Sequence, residues 1–257
     1  MKKFSLLAML CLFATLSSQA QEYRATLQNP KSSSLSLNDF TGNLVIEGYT
    51  GNEIVVTVKN FNRDANPKAK GMQAIYPAGT DNTGIGLMAT KTDGKIILQG
   101  LLPITNGASY TIKVPNSINI KVNKDCAYRG SVSATNIIGE LEISNCHGIS
   151  LKSVSGSAIL STISGNIDLD YQSTSASNII SVNSISGEID ITIPERSPVD
   201  LQLQNLHGQI YSDFDLQSEK KSLKQIGGNN ITAKLNGGGA KLKVTNITGS
   251  IYLRKKN

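Results

Sequence analysis

The sequence predicts an all-β fold: a parallel β-solenoid, β-helix-like, of about seven short coils. Three observations predict it. Glycines recur ahead of alternating apolar residues, glycine itself is abundant with 23 copies, and aromatic residues are scarce at 5% with no tryptophan. Short strands joined by tight turns favour β-branched, small polar and glycine residues. A narrow aliphatic core also accounts for the missing tryptophan.

The glycine repeat is clearest in VSGSAILSTISGNIDLD, residues 154–170, where nearly the same phrase occurs twice. Apolar residues stand two and four positions after each glycine. The same spacing follows these glycines: Gly42, Gly94, Gly139, Gly156, Gly165, Gly187 and Gly249. Alternation with period two is the strand signal, and the glycine permits a corner. The slot two positions before the glycine is also apolar and is expected to face inward: Phe40, Ile137, Cys146, Val154, Ile163, Ile185, Leu206 and Ile247.

The spacing of the glycines predicts the size of one coil. Successive intervals from Gly139 to Gly165 are 9, 8 and 9 residues, and the later intervals are 22, 21 and 41. The longer intervals are near multiples of about 20, so one coil holds two strands and two corners. An antiparallel meander or sandwich also fits short strands. Stacking is favoured because equivalent positions of successive coils carry residues of the same class. In a stack, such similar residues lie directly above one another.

The chain divides into three predicted segments. Residues 1–20 have a basic start, an apolar run and small residues at the end, which is typical of a secretory signal peptide. The apolar run is too short to span a bilayer, and no second long run follows. Residues 21–105 are predicted to form a less regular β-rich region with a long loop, and residues 106–257 the solenoid. We therefore expect an exported chain without a membrane span, in the periplasm or at the cell surface.

The net positive charge is small and does not indicate a polyanionic partner. It is +6 for the whole chain, and the basic residues cluster only at 254–256. Nucleic-acid binding would need a basic face with interleaved aromatic residues. We expect no nucleic-acid partner.

Two cysteines remain after the predicted leader, Cys126 and Cys146, and they are 20 residues apart. That separation is one coil, so both side chains are expected to point inward and to lie one above the other. The two sulfurs are either bonded or packed as small apolar groups, and export favours oxidation.

The carboxylates Asp168 and Asp190 are the first candidates for a binding site. They share the third position after a repeat glycine and are 22 residues apart, which stacks one on the other. Stacked like charges repel, so the pair is interpreted as solvated surface charge, a calcium site or an acidic pair for glycan hydrolysis. The nearest aromatic residue in the sequence is Tyr171, and no arginine or histidine accompanies the pair, which favours surface charge.

The second candidate is the loop PAGTDNTGIG, residues 77–86, the densest run of turn residues in the chain. Its polar residues Asp81, Asn82 and Thr83 are candidate binding residues, because loops on a rigid scaffold often carry binding. A phosphate-binding loop would need a lysine and a following helix.

The histidines offer no metal site. His147 and His207 each precede a repeat glycine, where serine or threonine stands in other coils. They are expected to be outward corner residues. A metal site needs three or four convergent ligands, so we expect no metal, cofactor or catalytic residues.

Several stretches together resemble one family. The short coils, DNTGIG, YTIKVPNSINIKV, GEIDITIP and LHGQIYSDF are similar to the exported putative-adhesin family of β-solenoid proteins, abundant in Bacteroidetes-type bacteria. The resemblance covers nearly the whole chain after the leader. It implies a surface or periplasmic solenoid with an adhesive role, and it brings no catalytic residues.

The sequence therefore predicts an exported, non-enzymatic surface or envelope protein that binds glycan or protein through its faces and loops. Two alternatives stay open: a polysaccharide lyase or hydrolase built on a β-helix, and a periplasmic structural or assembly partner of an envelope complex.

Overall fold

The computed structural model describes residues 21–61, 68, 72, 74–216 and 229–256. The predicted leader, residues 1–20, lies outside the described residues. Those residues form twenty strands and one turn of 3-10 helix at Pro30–Ser32. In chain order the strands are β1 (Glu22–Thr26), β2 (Ser34–Asn38), β3 (Leu44–Tyr49), β4 (Glu53–Lys59), β5 (Leu87–Thr92), β6 (Lys95–Gly100), β7 (Ser109–Pro115), β8 (Asn119–Asn123), β9 (Val132–Thr135), β10 (Leu141–Asn145), β11 (Ile149–Val154), β12 (Ala158–Ser164), β13 (Ile167–Tyr171), β14 (Ile179–Ser186), β15 (Ile189–Pro194), β16 (Val199–His207), β17 (Ile210–Ser212), β18 (Asn229–Leu235), β19 (Ala240–Thr248) and β20 (Ile251–Lys256).

The strands form two sheets of ten, both mostly parallel and neither closed on itself. The first sheet has the order β1-β4-β7-β3-β9-β11-β13-β15-β20-β17, and the second β18-β16-β19-β14-β12-β10-β8-β2-β6-β5. The all-β prediction is confirmed. No helix of the described residues is long and apolar enough to cross a membrane.

The chain alternates between the two sheets, and we call one strand of the second sheet plus the next strand of the first sheet a layer. Eight layers result, from β2–β3 to β19–β20. Their order in space differs from their order in sequence at both ends. Layer β2–β3 lies between β6–β7 and β8–β9, and the last layer, β19–β20, lies between β14–β15 and β16–β17.

Antiparallel strands border the stack at both ends. β4 and β1 extend the first sheet beyond β7, β5 extends the second sheet beyond β6, and β18 extends it beyond β16. Residues 21–105 and 106–257 contribute strands to both sheets and share one continuous core. The first region therefore supplies one complete layer, β2–β3, and strand β6 of a second layer, as well as the border strands β1, β4 and β5.

The core lies between the sheets and consists of stacked aliphatic columns, because strands in parallel register place equivalent residues side by side. One column of the first sheet is Ile149, Ile167, Ile189, Ile251 and Ile210. One column of the second sheet is Leu141, Ala158, Ile180, Leu242 and Leu201. Most of these inward residues stand two positions after a repeat glycine. The others occupy the equivalent position in strands where that glycine is shifted or replaced, as the alternation predicts.

The slot two residues before the glycine is only partly inward, which corrects the sequence prediction. Ile137 and Val154 precede the corner from the first sheet to the second and are buried. At the opposite corner the chain leaves the second sheet, and there Ile163 and its equivalents face out: Ile163, Ile185, Leu206 and Ile247. Phe40 also precedes a corner of this second kind, between β2 and β3, and is buried as predicted. In the later layers the two corners differ by one residue in strand parity, so one glycine alignment cannot describe both.

At that second corner the inward residue stands three positions before the glycine and is polar. The equivalent residues are Asn145, Thr162, Ser184, Asn246 and Asn205, all buried and in register. Asn246 Nδ2 donates to the carbonyl oxygen of Gly187 at 3.0 Å, and the side chains of Asn145, Thr162 and Asn205 likewise donate to backbone carbonyl oxygens of the corner. The hydroxyl of Ser184 has no hydrogen-bond partner among the described residues. Gly187 has φ +135°, and a Cβ there would overlap the carbonyl oxygen of Gly165 in the neighbouring layer. Close stacking of this corner therefore requires glycine.

Candidate ligand-binding face

The outer surface of the first sheet carries the predicted carboxylate pair. β13 pairs with β15 in parallel register, and Asp168 lies directly opposite Asp190. The stacking expected from the 22-residue interval is therefore present. Both residues alternate with buried aliphatic residues of their strands, which fixes their side chains on the outer face.

The two carboxylates differ in their surroundings. Partial burial, followed by the charges of Asp190 and Glu188, raises the pKa of Asp168, and Lys152 opposes this rise. Asp190 binds Arg254, whose Nε lies 2.8 Å from each carboxylate oxygen. Asp190 is thus held in an ion pair, whereas Asp168 makes no salt bridge with any described residue.

Arginine and aromatic rings do accompany the pair, and here the sequence interpretation was wrong. Tyr252 lies opposite Asp190 in register on β20, although 62 residues separate them in the chain. Its ring stacks on that of Tyr211 on β17, with centroids 5.2 Å apart and planes at 11°. The guanidinium carbon of Arg254 lies 5.3 Å from the Tyr252 centroid, within the range of a cation–π contact. The inserted last layer brings these side chains to the acids.

Tyr171, the nearest aromatic residue in sequence, takes no part in this face. It is buried in the core, and its hydroxyl donates to the carbonyl oxygen of Gly156 at 2.9 Å. The signal that locates Tyr252 is the repeat itself, because GSIYLRKK follows the same glycine spacing as the earlier coils. The repeat does not tell which layer lies beside the one that contains Tyr252.

We call Asp168, Asp190, Tyr252, Tyr211 and Arg254 the tyrosine–aspartate row. It runs across four neighbouring strands at the end of the first sheet. Tyr211 lies on the last strand and is 52% exposed, with Tyr252 covering one side of its ring. The row therefore offers carboxylate acceptors, one guanidinium and one open aromatic surface in line.

The two lysines that follow Arg254 on β20 are engaged in ion pairs. Lys256 Nζ lies 2.7 Å from Asp170 Oδ1, and Lys255 Nζ lies 3.3 Å from Glu195 Oε1. The terminal basic cluster thus packs against acids of the preceding layers. Within the described ranges no group of three or more histidine, cysteine or acidic side chains is arranged to hold a metal ion.

The loop residues Asp81, Asn82 and Thr83 are used mainly inside their own turn. Asp81 Oδ1 accepts from the backbone N–H of Thr83 and Gly84 at 3.0 and 2.8 Å, and its Oδ2 accepts from Gly86 N at 2.9 Å. The Asn82 side chain pairs with both backbone groups of Ala89, at 2.7 and 2.8 Å. These bonds hold buried residue Ile85 against the core, so the polar atoms support the fold of the loop.

Cys126 and Cys146 form a disulfide with their Cα atoms 5.0 Å apart. It links the loop after β8 to the end of β10. The expected inward orientation of Cys126 is wrong, because the residue is exposed and Lys124 occupies the inward position instead. The bond therefore lies at the corner of the stack, outside the aliphatic columns.

Lys124 is a buried cation that has no carboxylate partner among the described residues. Its Nζ donates to the carbonyl oxygens of Gly42, Arg129 and Gly130 at 2.7, 3.0 and 3.2 Å. These acceptors favour the ammonium, and burial opposes it. Burial dominates and lowers the pKa of Lys124 to about 8. The residue fastens the loop beside the disulfide to the neighbouring layer.

The two histidines lie at the corner where the chain leaves the second sheet. His207 is exposed, and His147 is partly exposed with its carbonyl oxygen accepting from Thr162 Oγ1 at 2.8 Å. Their positions are equivalent to those of serine and threonine in other layers, as the repeat alignment predicts.

Comparisons with known proteins give only distant likenesses. No protein-family model and no curated protein matches the chain. It is similar to the crystal structure of a putative cell adhesion protein from Clostridium sporogenes, with 13% identity and a TM-score of 0.41, over 93% of this chain and 100% of that one. It is also similar to a putative adhesin from Bacteroides fragilis, with 10% identity and a TM-score of 0.34, over 93% of this chain and 98% of that one. At these identities and TM-scores, neither likeness indicates what this chain binds.

Proposed function

We propose that this chain is an exported, non-enzymatic envelope protein: a two-sided β-solenoid of eight coils that binds glycan or protein through its outer faces. The layers described above would be the coils. Residues 1–20 would be the secretory leader, which fits the basic, apolar and small-residue order of that segment.

The observation that carries the proposal is the tyrosine–aspartate row. The face of an aromatic ring is electronegative and attracts the weakly positive C–H groups of a sugar ring. Carboxylates beside the ring accept hydrogen bonds from sugar hydroxyls. Tyr211 supplies the open ring, and Asp168 and Glu188 supply exposed carboxylates on the same face. A linear row of weak contacts suits a chain-like ligand such as a glycan.

The proposal is tested by binding of the purified protein to an array of bacterial and host glycans. Tyr211→Ala and Tyr252→Ala should each weaken binding at least tenfold, the loss of roughly 1.4 kcal/mol or more that one stacking contact provides. Glu47→Gln, on the same sheet but six strands from Tyr211 in the sheet order, is the matched control. Binding that survives both tyrosine variants would refute the role of the row.

Location is tested separately by fractionating the producing cells and by protease treatment of intact cells. Recovery in the periplasm, in the outer envelope or in the medium supports the proposal. Recovery in the cytoplasm, with residues 1–20 still attached, would contradict it.

A second candidate function is polysaccharide cleavage, since Asp168 has a raised pKa beside an arginine-paired Asp190. A general acid with a raised pKa next to a second carboxylate is the arrangement used in glycoside hydrolysis. Release of reducing ends from polysaccharides that is abolished in Asp168→Asn would support this candidate and overturn the non-enzymatic proposal.

A further inference from the structure

The outer face of the second sheet carries an unusual set of exposed aliphatic side chains. Six of them lie on four neighbouring strands, β12, β14, β19 and β16, and each is 40–53% exposed: Ile159, Ile163, Ile179, Ile185, Ile247 and Leu206. Ile163, Ile185, Ile247 and Leu206 form one continuous column along the corner. A contiguous apolar patch of this kind marks an interaction surface.

Charged residues of opposite sign flank the two central strands of this face, β12 and β14, on two sides. The acidic pair, Glu140 and Glu142, lies at and just before β10, and the lysine pair, Lys241 and Lys243, lies on β19. In register, Glu142 is followed across the face by Ile159, Ser181 and Lys243. β10 and β19 are thus the strands next to the central pair β12 and β14, one on each side.

Most of these charges have no ion-pair partner of their own. In the part of the chain that the structure describes, Glu140 and the lysine pair make no salt bridge, and Glu142 contacts Lys121 at 2.7 Å between two exposed side chains. An exposed pair of that kind contributes little to stability. The acidic pair and the lysine pair are therefore available to another molecule.

The arrangement is self-complementary about a two-fold axis. We place this axis in the plane of the face, parallel to the strands and midway between β12 and β14. It sets β12 of one copy against β14 of the other, and β10 against β19. The acidic pair of each copy then faces the lysine pair of the other, which gives four opposite-charge contacts. Ile163 of one copy then faces Ile185 of the other, and these side chains form the apolar centre of the contact.

The size of the face is sufficient for a specific contact. Six strands at about 4.8 Å, with about seven residues each at 3.3 Å, cover roughly 650 Å² per copy. The total of about 1,300 Å² lies within the range of specific protein–protein interfaces. Two sheets whose strand directions run parallel also pack in the way that the sheets of a β-sandwich do.

We propose that the outer face of the second sheet is an isologous interface between two copies of this chain. The inference is independent of the proposed function. In such a dimer the two tyrosine–aspartate rows face away from each other on opposite sides, because the first sheets remain outside.

The test is sedimentation of the purified protein over a range of concentrations, with charge variants designed on the axis. The wild type should sediment as a dimer. The double variants Glu140→Lys/Glu142→Lys and Lys241→Glu/Lys243→Glu should each weaken dimerisation at least tenfold, because like charges then face each other. An equimolar mixture of the two variants should restore the dimer, since one face is then all lysine and the other all glutamate at these positions.

Two further variants separate the interface from folding and from general charge effects. Ile163→Glu should also give a monomer, with an unchanged circular dichroism spectrum because the side chain is exposed. Glu47→Lys/Lys113→Glu on the first sheet should leave the dimer intact. A wild type that is monomeric at 100 µM, or a dimer that both charge variants leave unaffected, would overturn the proposal. A variant mixture that stays monomeric would refute the two-fold geometry.

Discussion

Replacement of Lys124 by methionine should remove a specific pH dependence of stability. The folded chain binds the Lys124 proton with a pKa of about 8, against 10.5 for the ordinary side chain. Between these values the unfolded chain carries more protons, so the free energy of unfolding rises as the pH rises. The full difference of about 2.5 units corresponds to about 3 kcal/mol, of which about 2 kcal/mol appears between pH 7 and 9.5.

The assay is urea unfolding at half-unit steps from pH 7 to 9.5, with the wild type and Lys124→Met compared at each pH. The upper limit matters because burial raises the pKa of Tyr110 and Tyr171, which makes stability fall once tyrosine ionises in the unfolded chain near pH 10. Lys124→Met removes the donor to three carbonyl oxygens, of which only Gly130 O keeps another donor among the described residues, Asn145 Nδ2, so the variant should be less stable at pH 7. Parallel profiles for the two proteins would refute a depressed lysine pKa, whatever their absolute stabilities.

Three further outcomes are expected. Asp168→Asn should raise the melting temperature at pH 7 and have little effect at pH 3, because the raised pKa means that the folded state disfavours the charged carboxylate; equal effects at both pH values would argue against this cause. Gly187→Ala should cost about 2 kcal/mol or more in urea unfolding, whereas Gly107→Ala, whose Cβ would meet nothing within 4 Å, should be nearly neutral. The double variant Cys126→Ser/Cys146→Ser should lose about 3 kcal/mol for a 20-residue loop and become insensitive to reductant, and a wild type that is also insensitive to reductant would contradict the disulfide.

Much of the strand pattern could be predicted from the sequence, because alternation and glycine spacing are local consequences of strand parity. Ile167 and Ile189 stand two positions after their glycines and are buried, as expected. Ile163 and Ile185 were expected to be buried and are exposed. An apolar residue at a corner is compatible with either strand parity, so the sequence does not tell whether its side chain faces the core or the solvent. The backbone conformation of the turn decides this.

Only part of the candidate site could be predicted from the sequence. The stacking of Asp168 and Asp190 follows from their interval, since their layers are consecutive in the chain and in space. Tyr252 and Arg254 could not be placed, because their layer inserts beside β15 ahead of the layer that precedes it in sequence. A repeat period fixes what each layer looks like and leaves the order of layers open, since all layers present similar edges to one another.

The interchange of layers at both ends has a consequence for how the molecule is made. The final 28 residues of the described chain, 229–256, include the layer that separates β14–β15 from β16–β17. In a chain that emerges from its N-terminus, β16–β17 therefore cannot pack against its final neighbour until residues 240–256, which form β19–β20, are available. A duplicate of layer β19–β20 would have to be inserted between existing layers, because both sides of that layer are already occupied. A new layer must therefore be added within the stack, for example between β10–β11 and β12–β13, where sequence order and spatial order coincide.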